Sequence, residues 1–252
     1  MGDRRPTLAD VRNNLHALGD PADAEFLQRF FRTAPGEYGA GDKFLGIRVP
    51  ATRRVARELR ALPLDDVVAL LHDEWHEARL LGVILLGDGY RRGGERERKA
   101  IFDAYVKHAR RVNNWDLVDV SAPDIVGAHL ASRPRRLLDK LAKSKNLWER
   151  RISIVATAWL IRNGEFDDTL RIARALMHDE QDLIHKAVGW MLREVGKRDV
   201  ATLERFLERH AHEMPRAMLR YSIERLTPAK RKHFMDAKLR RATKRASSSA
   251  RQ

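Results

Sequence analysis

The chain has 252 residues, 43% of them hydrophobic and 33% charged, which suits a soluble folded protein and excludes a disordered or membrane-embedded one. It carries 49 Lys and Arg against 35 Asp and Glu, a formal charge of +14. A polyanion is the simplest partner that rewards such an excess, with nucleic acid ahead of an anionic membrane surface. There is no cysteine, so disulfides, thiolate nucleophiles and cysteine-ligated zinc are excluded.

The N-terminal run Met1-Gly2-Asp3-Arg4-Arg5-Pro6 has no apolar region of the secretory kind, and no later run reaches membrane-spanning length, so a cytoplasmic protein is expected. Leu8 to Leu18 reads as a short amphipathic helix, and Asp20-Pro21 supplies the cap and first-turn proline of a second, Ala22 to Arg32. Thr33 to Val49 is the longest irregular stretch, with Gly36, Gly39, Gly41, Gly46 and Tyr38. A loop of that length in a helical chain is more often functional than idle. Pro50 opens a helix carrying Arg53, Arg54, Arg57 and Arg60; Leu64 to His72 follows, then an apolar helix from Glu74 closed by Gly87-Asp88-Gly89. Glu95 to Arg111 is a charged helix, and the next begins at Trp115 behind Asn113 and Asn114, both good N-caps, with Pro123 expected to kink or divide it.

The spacing predicts further helices over Arg135 to Ser144, Leu147 to Asn163, Asp167 to Met177, Gln181 to Gly196, Ala201 to His212, Arg216 to Leu226 and Pro228 to Arg241. No strand or hairpin signal is seen, so the fold class is all-α. Arg79, Trp115, Arg151 and Lys186 stand 36, 36 and 35 positions apart, with two helices per repeat. That content belongs to stacked helix pairs of the HEAT or armadillo kind, which usually run slightly longer, roughly 40 to 47 residues. The expected architecture is one superhelical repeat domain over residues 1–241 with a concave basic groove, followed by a basic, disordered tail over 242–252. Arg79, Trp115, Asp119, Arg151, Lys186 and Trp190 are expected to share the inner face.

Within the helix that opens at Trp115, Asp119 lies four residues on and therefore on the same face, so an indole and a carboxylate point the same way. The competing reading is a core tryptophan beside a carboxylate that answers the helix dipole, a cause that suits Asp116 better than Asp119. Trp75, Trp148 and Trp159 sit on apolar runs and read as core. The ten histidines show no metal-ligand pattern, and neither a glycine-rich phosphate loop nor a nucleophilic serine motif is present, so no metal or cofactor is expected.

Four blocks in order, Lys43 to Pro50 (KFLGIRVP), Trp115 to Asp119 (WDLVD), Trp148 to Arg151 (WERR) and Lys186 to Glu194 (KAVGWMLRE), resemble the signature segments of AlkD-type alkylpurine DNA glycosylases. The resemblance runs from about Phe30 to Leu226 and does not account for the basic segment beyond. It implies an all-α superhelix of HEAT-like repeats that removes cationic N3- and N7-alkylated purines from duplex DNA, with functional residues on Trp115, Asp119, Arg151 and Trp190. The family's loop tyrosine falls on Tyr38.

The chemistry suits these residue types. A cationic alkylpurine is already a good leaving group, so what remains is to stabilise an oxocarbenium-like sugar, which a carboxylate such as Asp119 does. At about 4 Å and an effective dielectric near 20 that is worth roughly 4 kcal/mol. Trp115 and Trp190 offer π faces to a cation, at roughly 0.5 to 2 kcal/mol each. Arg151 suits a bidentate phosphate contact, and Lys43, Arg48, Arg53, Arg54 and Lys186 suit the DNA backbone or, alternatively, an ordinary solvated face. The expected partner is double-stranded DNA bearing alkylated purines, bound by a monomer with no obligate protein partner and no membrane. Two other classes stay open: a catalytically inactive repeat protein that binds nucleic acid, and a repeat scaffold for an acidic protein.

Overall fold

A computed structural model describes residues 6–237. The expected tail over 242–252, and the end of the last predicted helix toward Arg241, lie outside the described residues. Among those described, every regular element is a helix, and the one β feature is an isolated bridge between Lys43 and Trp75. The chain divides into two compact units, the first ending at His129 and the second beginning at Leu130.

The first unit runs α1 (Leu8–Ala17), α2 (Pro21–Phe30), α3 (Val49–Glu58), α4 (Leu64–Leu71), α5 (His76–Arg92), α6 (Glu95–Lys107) and α7 (Trp115–Ala122). Its helix starts are written in the sequence. Thr7 and Asp10 form a reciprocal capping box on α1, the Asp20 carboxylate accepts from the Ala22 and Asp23 amides ahead of Pro21, and Asn114 rather than Asn113 caps α7. α5 is the hub, packing against α3, α4, α6 and α7 and burying Leu80, Leu81, Val83 and Leu86. Truncating a fully buried leucine such as Leu81 to alanine would cost about 2–5 kcal/mol.

Gly87-Asp88-Gly89 does not end α5, contrary to expectation. Asp88 accepts from Arg92 one turn on (2.9 Å) and pairs with Arg60 (3.3 Å). Gly89 lets Ile101 of α6 approach closely, and the helix continues to the Gly93-Gly94 pair. Pro123 acts as expected: α7 stops at Ala122, and a wide π turn, Pro123–Gly127, replaces the α-helical bonds that proline cannot make.

The second unit follows a single turn, α8 (Ala128–Leu130), with α9 (Arg136–Ala142), α10 (Leu147–Val155), α11 (Thr157–Arg162), α12 (Asp167–Ala175), α13 (Asp182–Arg198), α14 (Val200–His210), α15 (Arg216–Ile223) and α16 (Pro228–Met235). The predicted helix over Leu147 to Asn163 is broken at Ala156. The Ser153 and Thr157 hydroxyls donate back to the Arg150 and Ile154 carbonyls, each at 2.7 Å, a competition that bends helices.

Within each unit the second helices of successive pairs lie against one another, α5 on α7 in the first, α10 on α13 and α13 on α15 in the second. Gly189 permits the last of these contacts, because a Cβ there would collide with the Met218 carbonyl and the Tyr221 side chain. A recurring device closes the turns. Arg111 donates to the carbonyls of Leu71 and His72, Arg135 to those of Leu130 and Ala131, and Arg150 to those of Ser144 and Lys145, so part of the positive excess is spent on helix ends rather than offered to a ligand.

Candidate active site around Trp115 and Asp119

The first unit holds a cavity of about 520 Å³ whose walls are mostly apolar and aromatic, from Phe26, Phe30, Phe31, Phe44, Val49 and Trp115, with Asp116 and Asp119 at its α7 side. Asp119 and Trp115 are both half-buried and line this one space, as their four-residue spacing predicts. Phe31 stacks on the Trp115 ring (centroids 5.2 Å apart, 27° between planes) and Phe30 meets it edge-on at 5.9 Å, so one of the two indole faces is already occupied by the protein. The indole N–H donates to the Tyr38 hydroxyl at 3.3 Å, and that hydroxyl donates to the Phe30 carbonyl at 3.5 Å. Tyr38, drawn from a loop far away in sequence, is thus brought to the tryptophan.

Two carboxylates that sequence reasoning did not single out hold this arrangement. Glu77, buried on α5, accepts three backbone N–H bonds from Leu45 (2.9 Å), Gly46 (2.9 Å) and Ile47 (3.1 Å). Gly46 must be glycine, since its φ is +88° and a Cβ would overlap the Asp20 carbonyl. The block Lys43 to Arg48 is therefore a backbone strap fastened to one helix turn. The strap carries Phe44, which stacks on Phe31 at 5.1 Å and on the His76 ring at 4.5 Å.

Asp42 starts the second network. It receives Arg79 in a short ion pair, the Asn114 amide at 3.2 Å and His76 Nδ1 at 3.3 Å, while His76 Nε2 lies 2.8 Å from the Asp116 carboxylate. Burial works against a charge on His76, but Asp116, and then Asp42, raise its pKa from 6.5 to about 9, so the ring is an imidazolium at neutral pH. Burial likewise opposes ionisation of Asp42, and the His76 hydrogen bond with the Arg79 and His76 charges outweighs it, leaving its pKa below the usual value. Asp116 is thereby committed to His76 at the foot of the cavity. The nearest signal for this in the sequence is His76 and Arg79 one turn apart at the head of an apolar helix.

Arg79, expected on an open inner face, is instead buried. Besides pairing with Asp42 it donates to the Asp73 and Glu74 carbonyls (3.0 and 3.1 Å), because the turn before α5 leaves those acceptors unmet. In the second unit Arg151 is also buried, donating to the Leu183 carbonyl at 2.7 Å, whereas the adjacent Arg150 is tied to Asp179 at 2.6 Å. Trp190 is half-buried on α13, and Lys186 pairs with Asp182 at 2.7 Å.

Lys43 is exposed and paired with Glu74 (2.6 Å), and Arg48 is paired with Asp23 and stacked 5.0 Å above Phe26. Arg53 and Arg54 are exposed on α3. Of the tryptophans expected in the core, Trp148 is buried, whereas Trp75 and Trp159 are half-buried. No helix among the described residues is long and apolar enough to cross a membrane.

These features define a protein built of packed helix pairs, with an aromatic and acidic cavity at the N-terminus of one second helix. More particularly, the chain belongs to the DNA alkylation repair enzyme family, whose sequence profile matches residues 11–226. A solved structure described as a predicted DNA alkylation repair enzyme from Enterococcus faecalis superposes with a TM-score of 0.65 at 18% identity, over 83% of this chain and 97% of that one. At that identity the likeness speaks for the fold. Comparison with curated proteins gave no match.

Proposed function

We propose that this chain is a DNA glycosylase that hydrolyses the N-glycosidic bond of cationic N3- and N7-alkylated purines in duplex DNA. The observation that carries the reading is the pairing of Asp119 with Trp115 in one aromatic-walled cavity of a DNA alkylation repair family member. The lesion supplies the positive charge that makes its base a leaving group. The C1′–N bond breaks with its electron pair leaving on the purine, and water adds to C1′ with loss of a proton. Asp119 faces the cationic sugar and orients that water, and the aromatic walls keep the local dielectric low enough for the attraction to count. The open indole face and Tyr38 steady the sugar or base.

Arg151 and Trp190 take their roles from the family resemblance, Arg151 as a phosphate contact and Trp190 as a π surface. Lys43, Arg48, Arg53, Arg54 and Lys186 contact backbone phosphates, and a superhelical basic groove is the architecture in which they act.

The test is release of 7-methylguanine from alkylated duplex DNA by the full chain in single-turnover conditions. Asp119→Asn should bind the duplex with little change yet excise at least about a hundredfold more slowly. Tight binding with no release by the wild type would favour an inactive binding protein, and wild-type rates in Asp119→Asn would remove Asp119 from the mechanism.

A further inference from the structure

A cleft of about 750 Å³ lies in the second unit between α12 and α14. Each helix buries its apolar stripe, with Ile172 and Ala173 on α12 and Leu203 and Leu207 on α14, and beside those stripes both carry arginine toward the cleft. Arg171 and Arg174 of α12, and Arg205 and Arg209 of α14, sit one turn apart on their helices and line the same space, and Arg135 adds a fifth guanidinium.

The carboxylates along the cleft serve only part of this set. Asp168 is shared between Arg135 (2.7 Å) and Arg171, Glu165 takes Arg135 at 2.7 Å, and Asp139 takes the other end of Arg171. Asp167 stands exposed at the rim. Arg205 donates to the Thr202 hydroxyl at 2.6 Å, within the field of Asp199. Arg174 and Arg209, both exposed, have no ion-pair partner among the described residues. Burial and the charges of Arg135 and Arg174 together lower the pKa of Arg171, so the cations are close enough to repel. Between them lie Phe206, nearly covered, and the half-buried Phe166 and Leu170.

We propose that this cleft is a binding site for a phosphorylated nucleotide, with the phosphates on Arg174, Arg205 and Arg209 and the base against Phe166 and Leu170. An anion relieves the crowding of like charge, and the guanidinium fork matches phosphate oxygens. The volume falls in the range of small-ligand sites, roughly 300–1,000 Å³. A bare oxyanion would use the arginines and leave the apolar wall without a role; a base gives that wall one. Two sources share this chemistry, a free nucleoside triphosphate and the 5′-phosphorylated end of a nucleic-acid strand. The inference is independent of base excision, since its readout is binding alone.

The experiment is titration of the full chain with a fluorescent adenosine triphosphate analogue, followed by competition. Saturable binding displaced by ATP is expected, and Arg174→Gln/Arg209→Gln, two exposed positions, should bind about tenfold more weakly or worse while melting at the wild-type temperature. Displacement by ATP but by neither form of a short single-stranded oligonucleotide supports the free nucleotide; displacement about tenfold better by the 5′-phosphorylated than by the 5′-hydroxyl oligonucleotide supports the strand end. The proposal is overturned by any of four results: no saturable binding, inorganic triphosphate competing as well as ATP, equal displacement by both oligonucleotides, or an unchanged affinity in the double variant.

Discussion

His76 should make the stability of the fold depend on pH in the alkaline range. Its ring is 2% exposed, lies 2.8 Å from Asp116 and 3.3 Å from Asp42, and has its pKa raised to about 9 by those carboxylates against the cost of burial. The folded protein therefore binds this proton more tightly than the unfolded chain, whose histidine titrates near 6.5. The contribution is fully present below about pH 6.5, declines as the unfolded chain sheds its proton, and is gone once pH has passed about 9. At about 1.4 kcal/mol per pH unit the loss amounts to roughly 3 kcal/mol.

Urea unfolding at several pH values between 6 and 10, read by tryptophan fluorescence, would measure this loss in the wild type and in His76→Gln. The wild type should lose roughly 3 kcal/mol more than the variant across that range. Asp116→Asn, which keeps the imidazole but removes the stronger of its two partners, should move the decline to lower pH. NMR titration of the His76 ring in the wild type supplies the same midpoint directly. Parallel pH profiles for wild type and His76→Gln, or a ring that titrates near 6.5 in the folded protein, would refute the buried imidazolium.

Glu77→Gln should destabilise the fold by about 2–4 kcal/mol and speed hydrogen exchange at the Gly46 amide, because the amide it introduces turns a donor toward backbone N–H groups that now share one carboxylate; unchanged exchange would show that the strap is held elsewhere. Gly46→Ala should cost about 3 kcal/mol or more in a urea melt, through both its positive φ and the collision with Asp20, whereas Gly87→Ala, where a Cβ has room, should be neutral or slightly stabilising. In the excision assay, cationic 7-methylguanine should be released while neutral uracil is not, and efficient uracil release would mean that the leaving group is being activated by a residue other than those proposed. Trp115→Phe should slow release of 7-methylguanine by about tenfold, since a smaller ring keeps the stack on Phe31 but loses the hydrogen bond to Tyr38.

The sequence by itself determined the helices, because the signals that start and stop them are local. Asp20-Pro21, Asn114, Asn146, Pro123 and Gly164 act within a turn of where they stand, and the four-residue step from Trp115 to Asp119 is enough to aim both at one cavity. Where prediction slipped, at Gly87-Asp88-Gly89 and at Ala156, a side chain's bond to a neighbouring turn outweighed the local propensity.

What only the tertiary structure decided is which polar groups the interior would consume. Arg79 looked like a groove cation and is buried on Asp42; Asp116 and Asp119 sit three residues apart on one helix, yet Asp116 is bound to His76 while Asp119 faces the cavity. Those fates depend on partners 31 to 77 positions away in the chain, Asp42, Glu77 and Tyr38 among them, brought together by a strap whose course is fixed by three backbone N–H bonds and a glycine. A buried charge must find its partner wherever packing places one, and no periodicity in the sequence records where that will be.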